Sequence, residues 1–459
     1  MKDWYLVAET SAAKASQDFL ELSYIPALTE LKKITRNLDS LAVFVDYKKN
    51  IVREYMRKSE IDRKAMFGWR FFCNDKKYTS YREQTAAVLK EIASFKKELE
   101  NHPLDSLTLK NRACVIRRGQ RLYKKSLALY LLTQPEYCRD IEAYLNKALE
   151  SLIPASQHAA VAAVVTTSLP PSYLEQERLD WLSKVMLAKV QGRKAALVRH
   201  YKTYKYMAGG VEYGILSLHY FQELYEREKN IPRVRLEKEY RGMVGKRKII
   251  KQKQDYIFQT YRFPKELRKL SKRIAELGVL RLHMRVLGWQ FFSYFFPAVM
   301  DKGYLPSIHS AKHSFLLTIT AEKGCACYQD SQARQEYQKI IKKPQDANLE
   351  LRGISVYGKR KIRGRVLVWK WEEGNSASLS QKISKDTIIV VGQTRPFLLP
   401  LLRQAKAIIT DEGGLLCHAA IISRELAIPC IIGTKVATKR LRSGDSIEMD
   451  MATGSIRVR

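Results

Sequence analysis

Thr410-Asp411-Glu412-Gly413-Gly414-Leu415-Leu416-Cys417-His418-Ala419-Ala420-Ile421-Ile422-Ser423-Arg424-Glu425-Leu426-Ala427-Ile428-Pro429-Cys430-Ile431-Ile432-Gly433 decides how the C-terminal part of the chain folds. The apolar run Lys406 to Thr410 has strand character, and the Gly413-Gly414 pair permits a tight turn with close backbone approach. Ala419 and Ala420 begin a helix predicted to run to about Leu426, with Ile421, Ile422 and Leu426 available to a core. Pro429 stops it ahead of a second strand at Cys430 to Ile432. The spacing therefore puts His418 in or just before the first turn of a helix.

A first turn carries backbone N–H groups without intrahelical partners and a partial positive charge, together worth about 0.3 to 1 kcal/mol to a nearby anion. A phosphoryl group on His418 would be stabilised there, with Gly413, Gly414, Cys417 and Ala419 as the candidate phosphate-binding residues. The same field disfavours imidazolium and keeps the ring neutral and nucleophilic, as attack on phosphorus requires. Without the surrounding pattern, a histidine in this place reads as a helix cap with no chemistry.

The pattern resembles the phosphohistidine, or mobile (swivelling), domain shared by phosphoenolpyruvate synthase, pyruvate phosphate dikinase, enzyme I of the sugar phosphotransferase system and rifampin phosphotransferase. The resemblance extends upstream through Gly353-Ile354-Ser355, Ile362 to Val366 and Thr394-Arg395-Pro396, and downstream through Ala437-Thr438, Gly444-Asp445 and Asp450 to Gly454. It implies that His418 is the phosphorylated, catalytic residue. Leu416 stands where many dikinases and synthases carry a regulatory threonine, so that mode of control is not expected. Leu415 stands where arginine is common, and Arg395 where acidic residues are common.

The resulting fold class is α+β and multidomain: a mainly α-helical N-terminal region followed by a C-terminal β/α phosphohistidine domain. The expected divisions are a helical region over 1–168, a second helical region over 169–340 on the substrate side, a polar linker over 341–350 and the mobile domain over 351–459. In the second region, Leu169-Pro170-Pro171 breaks the chain before the capping box Ser172 to Glu175. Leu179, Leu182, Met186 and Val190 then share a helical face, and a further helix is expected from Pro264 to Leu277. Val286 to Met300 is the longest apolar stretch; with Gln290 and Pro297 inside it, it reads as a buried helix rather than a membrane span. This region weakly resembles the helical substrate side of rifampin phosphotransferase-like proteins through Ser172 to Leu182, Leu197 to Tyr201 and Arg281 to Trp289. His200 is thereby a candidate substrate contact, with packing between tyrosines as the competing reading.

The 459 residues carry a formal net charge of +34, and 19 Lys and Arg against 9 Asp and Glu from residue 351 onward leave 24 of that excess in the helical part. Lys229 to Lys253 is densely basic. It suits nucleic acid, an acidic protein or phosphorylated substrates, and equally a plain solvated face. No secretory signal opens the chain, and seven scattered cysteines argue against a disulfide framework and for a reducing cytoplasm. Cys325 and Cys327 lack a second ligand pair, so no metal is expected. Gly209 to Gly214 and Gly242 to Lys246 fail as phosphate loops.

With no nucleotide-binding motif and no phosphoenolpyruvate barrel, Mg and ATP, or PEP, are expected on a partner, an ATP-grasp nucleotide-binding protein in trans. The phosphoryl acceptor is unknown, and a non-enzymatic basic scaffold for nucleic acid or an acidic partner is the alternative. No membrane association is expected. A flexible ten-residue linker spans at most roughly 35 Å, enough to shuttle a domain between nearby sites.

Overall fold

The computed structural model describes residues 4–10, 17–35, 41–46, 51–188, 190–207, 216–305, 315–320, 324–340, 351–358, 361–370, 383–394, 398–415 and 417–459. The linker expected over 341–350, the loop Gly209 to Gly214, and Val190, Arg395 and Leu416 as side chains lie outside the described residues.

The N-terminal part contains a five-stranded antiparallel sheet that the sequence reading did not anticipate. Its strands are β1 (Trp4–Thr10), β2 (Leu41–Asp46), β3 (Ile51–Arg57), β4 (Phe315–Thr320) and β5 (Gly324–Gln329), in the order β1-β3-β2-β4-β5. Helix α1 (Gln17–Thr35) follows β1. The sheet joins chain segments about 270 positions apart, with Phe44 paired to Leu316. A helix over Asp330–Ile340 packs on it, laying Tyr337 flat against Phe44 at 3.8 Å and hydrogen-bonding Tyr55 through the two hydroxyls at 2.8 Å.

Between these strands runs the helical body: α2 (Lys58–Phe72), α3 (Asp75–Asn101), α4 (Leu109–Leu131), α5 (Pro135–Leu152), α6 (Ala155–Val165), α7 (Tyr173–Asp180), α8 (Arg193–Tyr204), α9 (Leu218–Glu228), α10 (Arg233–Thr260), α11 (Lys265–His283) and α12 (Phe291–Asp301). Ser172 caps α7 as the capping box requires, its hydroxyl accepting from Glu175 N–H at 3.3 Å. The helix expected from Pro264 to Leu277 is much longer. It passes through a π-helical turn at Met284–Gln290 into α12, so the apolar stretch 286–300 continues one helical rod into the core. Phe291, Phe292, Phe295 and Phe296 on that rod pack with Phe95 and Tyr123.

Helices α2 and α5 touch backbone to backbone. A β-carbon at Gly68 would overlap the carbonyl oxygen of Tyr137, so only glycine permits this crossing. Gly68→Ala should therefore cost about 1–3 kcal/mol or more, as overpacking does when the obstacle is backbone. Chemical denaturation measures it; an unchanged midpoint would show that the two helices do not meet at Gly68.

The C-terminal sheet has seven strands: β6 (Ile354–Tyr357), β7 (Lys361–Trp369), β8 (Thr387–Val391), β9 (Ala407–Thr410), β10 (Cys430–Ile432), β11 (Ser446–Asp450) and β12 (Ser455–Val458). Their order is β12-β11-β7-β8-β9-β10-β6. Strands β7 to β10 pair in parallel at the centre, while β6, β11 and β12 run antiparallel at the edges. β8 reads Thr387-Ile388-Ile389-Val390-Val391 and is buried throughout, as a central parallel strand covered on both faces must be.

The two faces have different partners. Ile388, Val390, Ala407 and Ile409 face a core belonging to the C-terminal part alone. Ile389, Val391, Ile408 and Ile432 face a core shared with Tyr173, Trp181, Leu182, Leu282 and Val286 of the helical body. Instead of standing apart on a tether, the C-terminal sheet shares one apolar core with residues of α7, α8, α9 and α11, and β6 lies against α6.

Candidate functional site

β9 ends at Thr410, and the next residue locks the turn that follows. Asp411 accepts hydrogen bonds from Thr434 Oγ1 at 2.9 Å and from Thr438 N–H and hydroxyl, tying the loop to the segment after β10. Gly413 adopts φ +131°, and a β-carbon there would come 2.7 Å from Cys417 Sγ, so both its conformation and its space exclude a side chain. Cys417 N–H closes the turn onto Gly414 C=O at 2.9 Å. Cys417 is then the N-cap: its Sγ accepts from Ala420 N–H at 3.3 Å. Burial pushes its thiol up, against the pull of the Ala420 hydrogen bond and of Arg281, which gives it the packing and capping role rather than that of a reactive thiolate.

His418 is the first residue of the helix His418–Leu426. Its side chain is buried at 6 % exposure, and its Nδ1 lies 2.9 Å from the hydroxyl of Thr394, itself buried just beyond β8. This bond fixes the ring plane. The helix ends where Ala427 turns left-handed at φ 56° and Ile428 N–H returns to Ser423 C=O at 2.9 Å, ahead of Pro429. Ala419 is buried in the shared core.

The helical body completes the surroundings. Glu142 of α5 reaches the glycine loop, its Oε2 accepting from Leu415 N–H at 2.7 Å and filling the space in which a Gly414 side chain would lie. Arg424 is buried and donates to Leu415 C=O at 2.9 Å and to Thr166 Oγ1 at 3.5 Å. Arg281 of α11 is 7 % exposed and donates to Thr133 C=O and to Gln134 Oε1. Its charge reaches Cys417 beside His418.

A second contact locks the other end of the His418 helix. Glu425 receives Arg247 at 3.4 Å, Arg247 also pairs with Glu175 and donates to Ser168 C=O at 2.5 Å, and Lys246 joins Glu175 at 2.7 Å to Glu425 C=O at 3.0 Å. Burial raises the Glu425 carboxyl pKa despite Arg247, Lys246 and Arg424, and burial lowers that of the Arg247 guanidinium despite Glu425.

These features belong to a known kind of domain. Residues 383–454 match the family described as PEP-utilising enzyme, mobile domain. Over the same part the chain is 46 % identical across 80 residues to a probable phosphoenolpyruvate synthase of Pyrococcus horikoshii, covering 17 % of this chain and 10 % of that protein. It is 52 % identical across 71 residues to the uncharacterised phosphotransferase YvkC of Bacillus subtilis, covering 16 % and 8 %. A phosphoenolpyruvate synthase of Neisseria meningitidis serogroup B is 33 % identical over 130 residues, 27 % of this chain and 16 % of that protein. Residues 383–454 are a PEP-utilising enzyme mobile domain. The chain thus spans about a tenth of the length of the first of these relatives.

Gly413 lies against Cys417, Cys417 N–H bonds Gly414 C=O, and Ala419 follows His418 in the helix, while the Leu415 N–H beside Gly414 is engaged by Glu142. His200 lies elsewhere. It is buried at 4 % exposure, with Nε2 3.0 Å from Glu177 Oε1 and its ring among Trp181, Tyr204 and Phe221. Among the described residues its hydrogen bond and ring contacts are to the helical body, and Arg403 of the mobile domain approaches the other Glu177 oxygen at 3.8 Å.

The basic tract divides. Lys246 and Arg247 face the mobile domain, whereas Arg233, Arg235, Arg241, Lys248, Lys251 and Lys253 of α10 are exposed. Among the described residues no three histidine, cysteine or acidic side chains converge as a metal site, and no helix is long and apolar enough to cross a membrane. The sequence reading missed Glu142, Arg281 and the Arg247 clamp. Thr394 stood inside the motif, yet nothing in its spacing tied it to a histidine 24 positions on.

Proposed function

We propose that this chain is a phosphotransferase component whose mobile domain carries a phosphoryl group on His418, with 351–459 as the moving unit, 1–168 as a first helical region and 169–340 as the substrate side. The observation that carries the reading is the placement of His418 at a helix N-terminus with Nδ1 tied to Thr394. With Nδ1–H donated to the Thr394 oxygen, the lone pair of the neutral ring sits on Nε2. Nε2 attacks phosphorus in line; the N–P bond forms as the bond to the donor oxygen breaks, and the pair leaves with that oxygen. In the second half an acceptor oxygen attacks, the N–P bond breaks and its electrons return to Nε2. The first-turn amides and the glycine loop face the charge that develops on the phosphoryl oxygens.

Magnesium nucleotide or phosphoenolpyruvate held by a partner supplies the phosphoryl group, and an ATP-grasp protein in trans suits that role. A pulse–chase experiment tests the scheme: label from ATP with such a partner should enter the chain, then leave it when an extract containing the acceptor is added. A chain that is never labelled under turnover with either donor would sink the proposal. The exposed cations of α10 favour a second reading, a basic scaffold for nucleic acid that keeps the domain without its chemistry, and phosphohistidine on the chain separates the two.

Thr394 is a positioning residue in this scheme. Thr394→Val should slow labelling about 10-fold, the equivalent of one hydrogen bond's net contribution, and should let phosphate appear on Nδ1. Thr394→Ser should restore both rate and Nε2 selectivity. Equal rates and an unchanged isomer ratio in the valine variant would remove Thr394 from the mechanism.

A further inference from the structure

We infer that Glu142 and the phosphoryl group on His418 compete for one anion position, so that charging His418 releases the mobile domain from the helical body and discharging it lets the domain dock; this rests on the phosphohistidine reading above. The docked loop already holds an anion. Glu142 Oε2 takes the Leu415 N–H at 2.7 Å from a helix 273 positions away in sequence, and its carboxylate lies against Gly414, where a side chain would collide with it. The interaction is buried, with Glu142 at 8 % exposure and Leu415 at 2 %.

The carboxylate is also one of three charges that bear on Cys417, the residue before His418, the others being the cations Arg281 and Arg424. Arg281 and Arg424 are the cations acting on Cys417 beside this carboxylate, and Arg424 also faces Glu425. A phosphoryl group adds a charge of about −2, and like charges brought into one buried loop repel far more strongly than in water. Glu142 and a charged His418 are therefore poor neighbours. Among the described residues the docking face otherwise holds the apolar core, the Arg247–Glu425 clamp, Arg403 near Glu177, and the cation Arg424 on Thr166. Glu142 is the contact that senses the state of His418.

Access points the same way. At 6 % exposure, the docked His418 does not present itself to a partner's donor site, so charging requires the undocked domain. The geometry thus orders the cycle: undocked while charged, docked once discharged, so the seat seen here is the resting position of the discharged domain and not the place where the phosphoryl group is given up.

The test needs no donor. Hydrogen exchange is followed on the full chain in peptides covering 135–152 and 411–426, comparing wild type, His418→Gln, His418→Glu, Glu142→Gln and the double variant His418→Glu with Glu142→Gln. Strands β11 and β12, on the outer side of the sheet, serve as the folding control and should stay protected in every variant. The expected result is that His418→Glu speeds exchange in both peptides at least 10-fold, that His418→Gln does not, and that adding Glu142→Gln to His418→Glu restores protection. Equal exchange in His418→Glu and wild type, or an effect of His418→Glu that persists undiminished beside Glu142→Gln, would overturn the inference even where His418 is labelled on the wild-type chain. Labelling of His418 decides the carrier reading separately, so the two failures are distinguishable.

Discussion

Replacing His418 by glutamine is expected to reduce phosphoryl labelling of the chain to background while leaving the fold intact. Glutamine is close in size, keeps a polar group opposite Thr394 Oγ1, and retains the buried first-turn position of a helix whose cap is the Cys417 thiol rather than the histidine. What it removes is a nitrogen lone pair able to bond phosphorus. Because the neighbouring Cys417 thiol is buried, capped onto Ala420 N–H and held protonated rather than as a thiolate, the loss should be complete rather than partial. Labelling is read by intact mass after quenching in alkali, where phosphohistidine survives, and unfolding by denaturant should keep its midpoint. Residual stoichiometric label in the glutamine variant would place the chemistry on another side chain.

A chain carrying Lys246→Met and Arg247→Met together should lose about 3–5 kcal/mol of unfolding free energy at neutral pH, the cost of stranding buried carboxylates. Glu175 and Glu425 are the stranded groups, with side chains 7 % and 5 % exposed. Burial already raises the Glu425 carboxyl above its ordinary 4.5, and removing the cations would raise it further. The sign of the pH effect follows. A carboxyl whose folded pKa is raised binds its proton more tightly when folded, so stability falls as pH rises from the ordinary value through the raised one. The double variant should thus approach wild-type stability on acidification toward pH 4.5 and fall away from it above that window. A constant difference across the range would mean that the two cations act through packing alone.

The mobile domain was legible because its signals are local. Gly413-Gly414, the His418 to Leu426 helix and the Pro429 stop lie within one short stretch, and β9, the helix and β10 fall where that stretch puts them. The capping box at Ser172 was readable for the same reason. The N-terminal sheet was not. Leu41 to Val45 is a continuous apolar run whose length fits a buried helix segment as well as a strand, and its partner Phe315 to Thr320 is far along the chain. The docking of the mobile domain was hidden too, because alternate residues of β8 and β9 serve different cores and the pattern does not say which face meets a helix. Lys246 and Arg247 read as two more members of a basic tract, although their partners Glu175 and Glu425 come from elements 71 and 178 positions away. Glu142 carries no sequence signal at all. A glutamate on an amphipathic helix is an ordinary surface residue until the fold brings Leu415 N–H to it.

The central claim is that a phosphoryl group rests on Nε2 of His418, the ring nitrogen opposite the one bonded to Thr394. The most direct measurement is phosphorus–nitrogen correlation by NMR on the full chain, labelled with nitrogen-15 at histidine and charged with ATP, magnesium and an ATP-grasp partner, or with phosphoenolpyruvate. The account predicts a single phosphorus coupled to one histidine Nε2, absent from His418→Gln. Phosphorus coupled to Nδ1, or found on any residue other than His418, would contradict it.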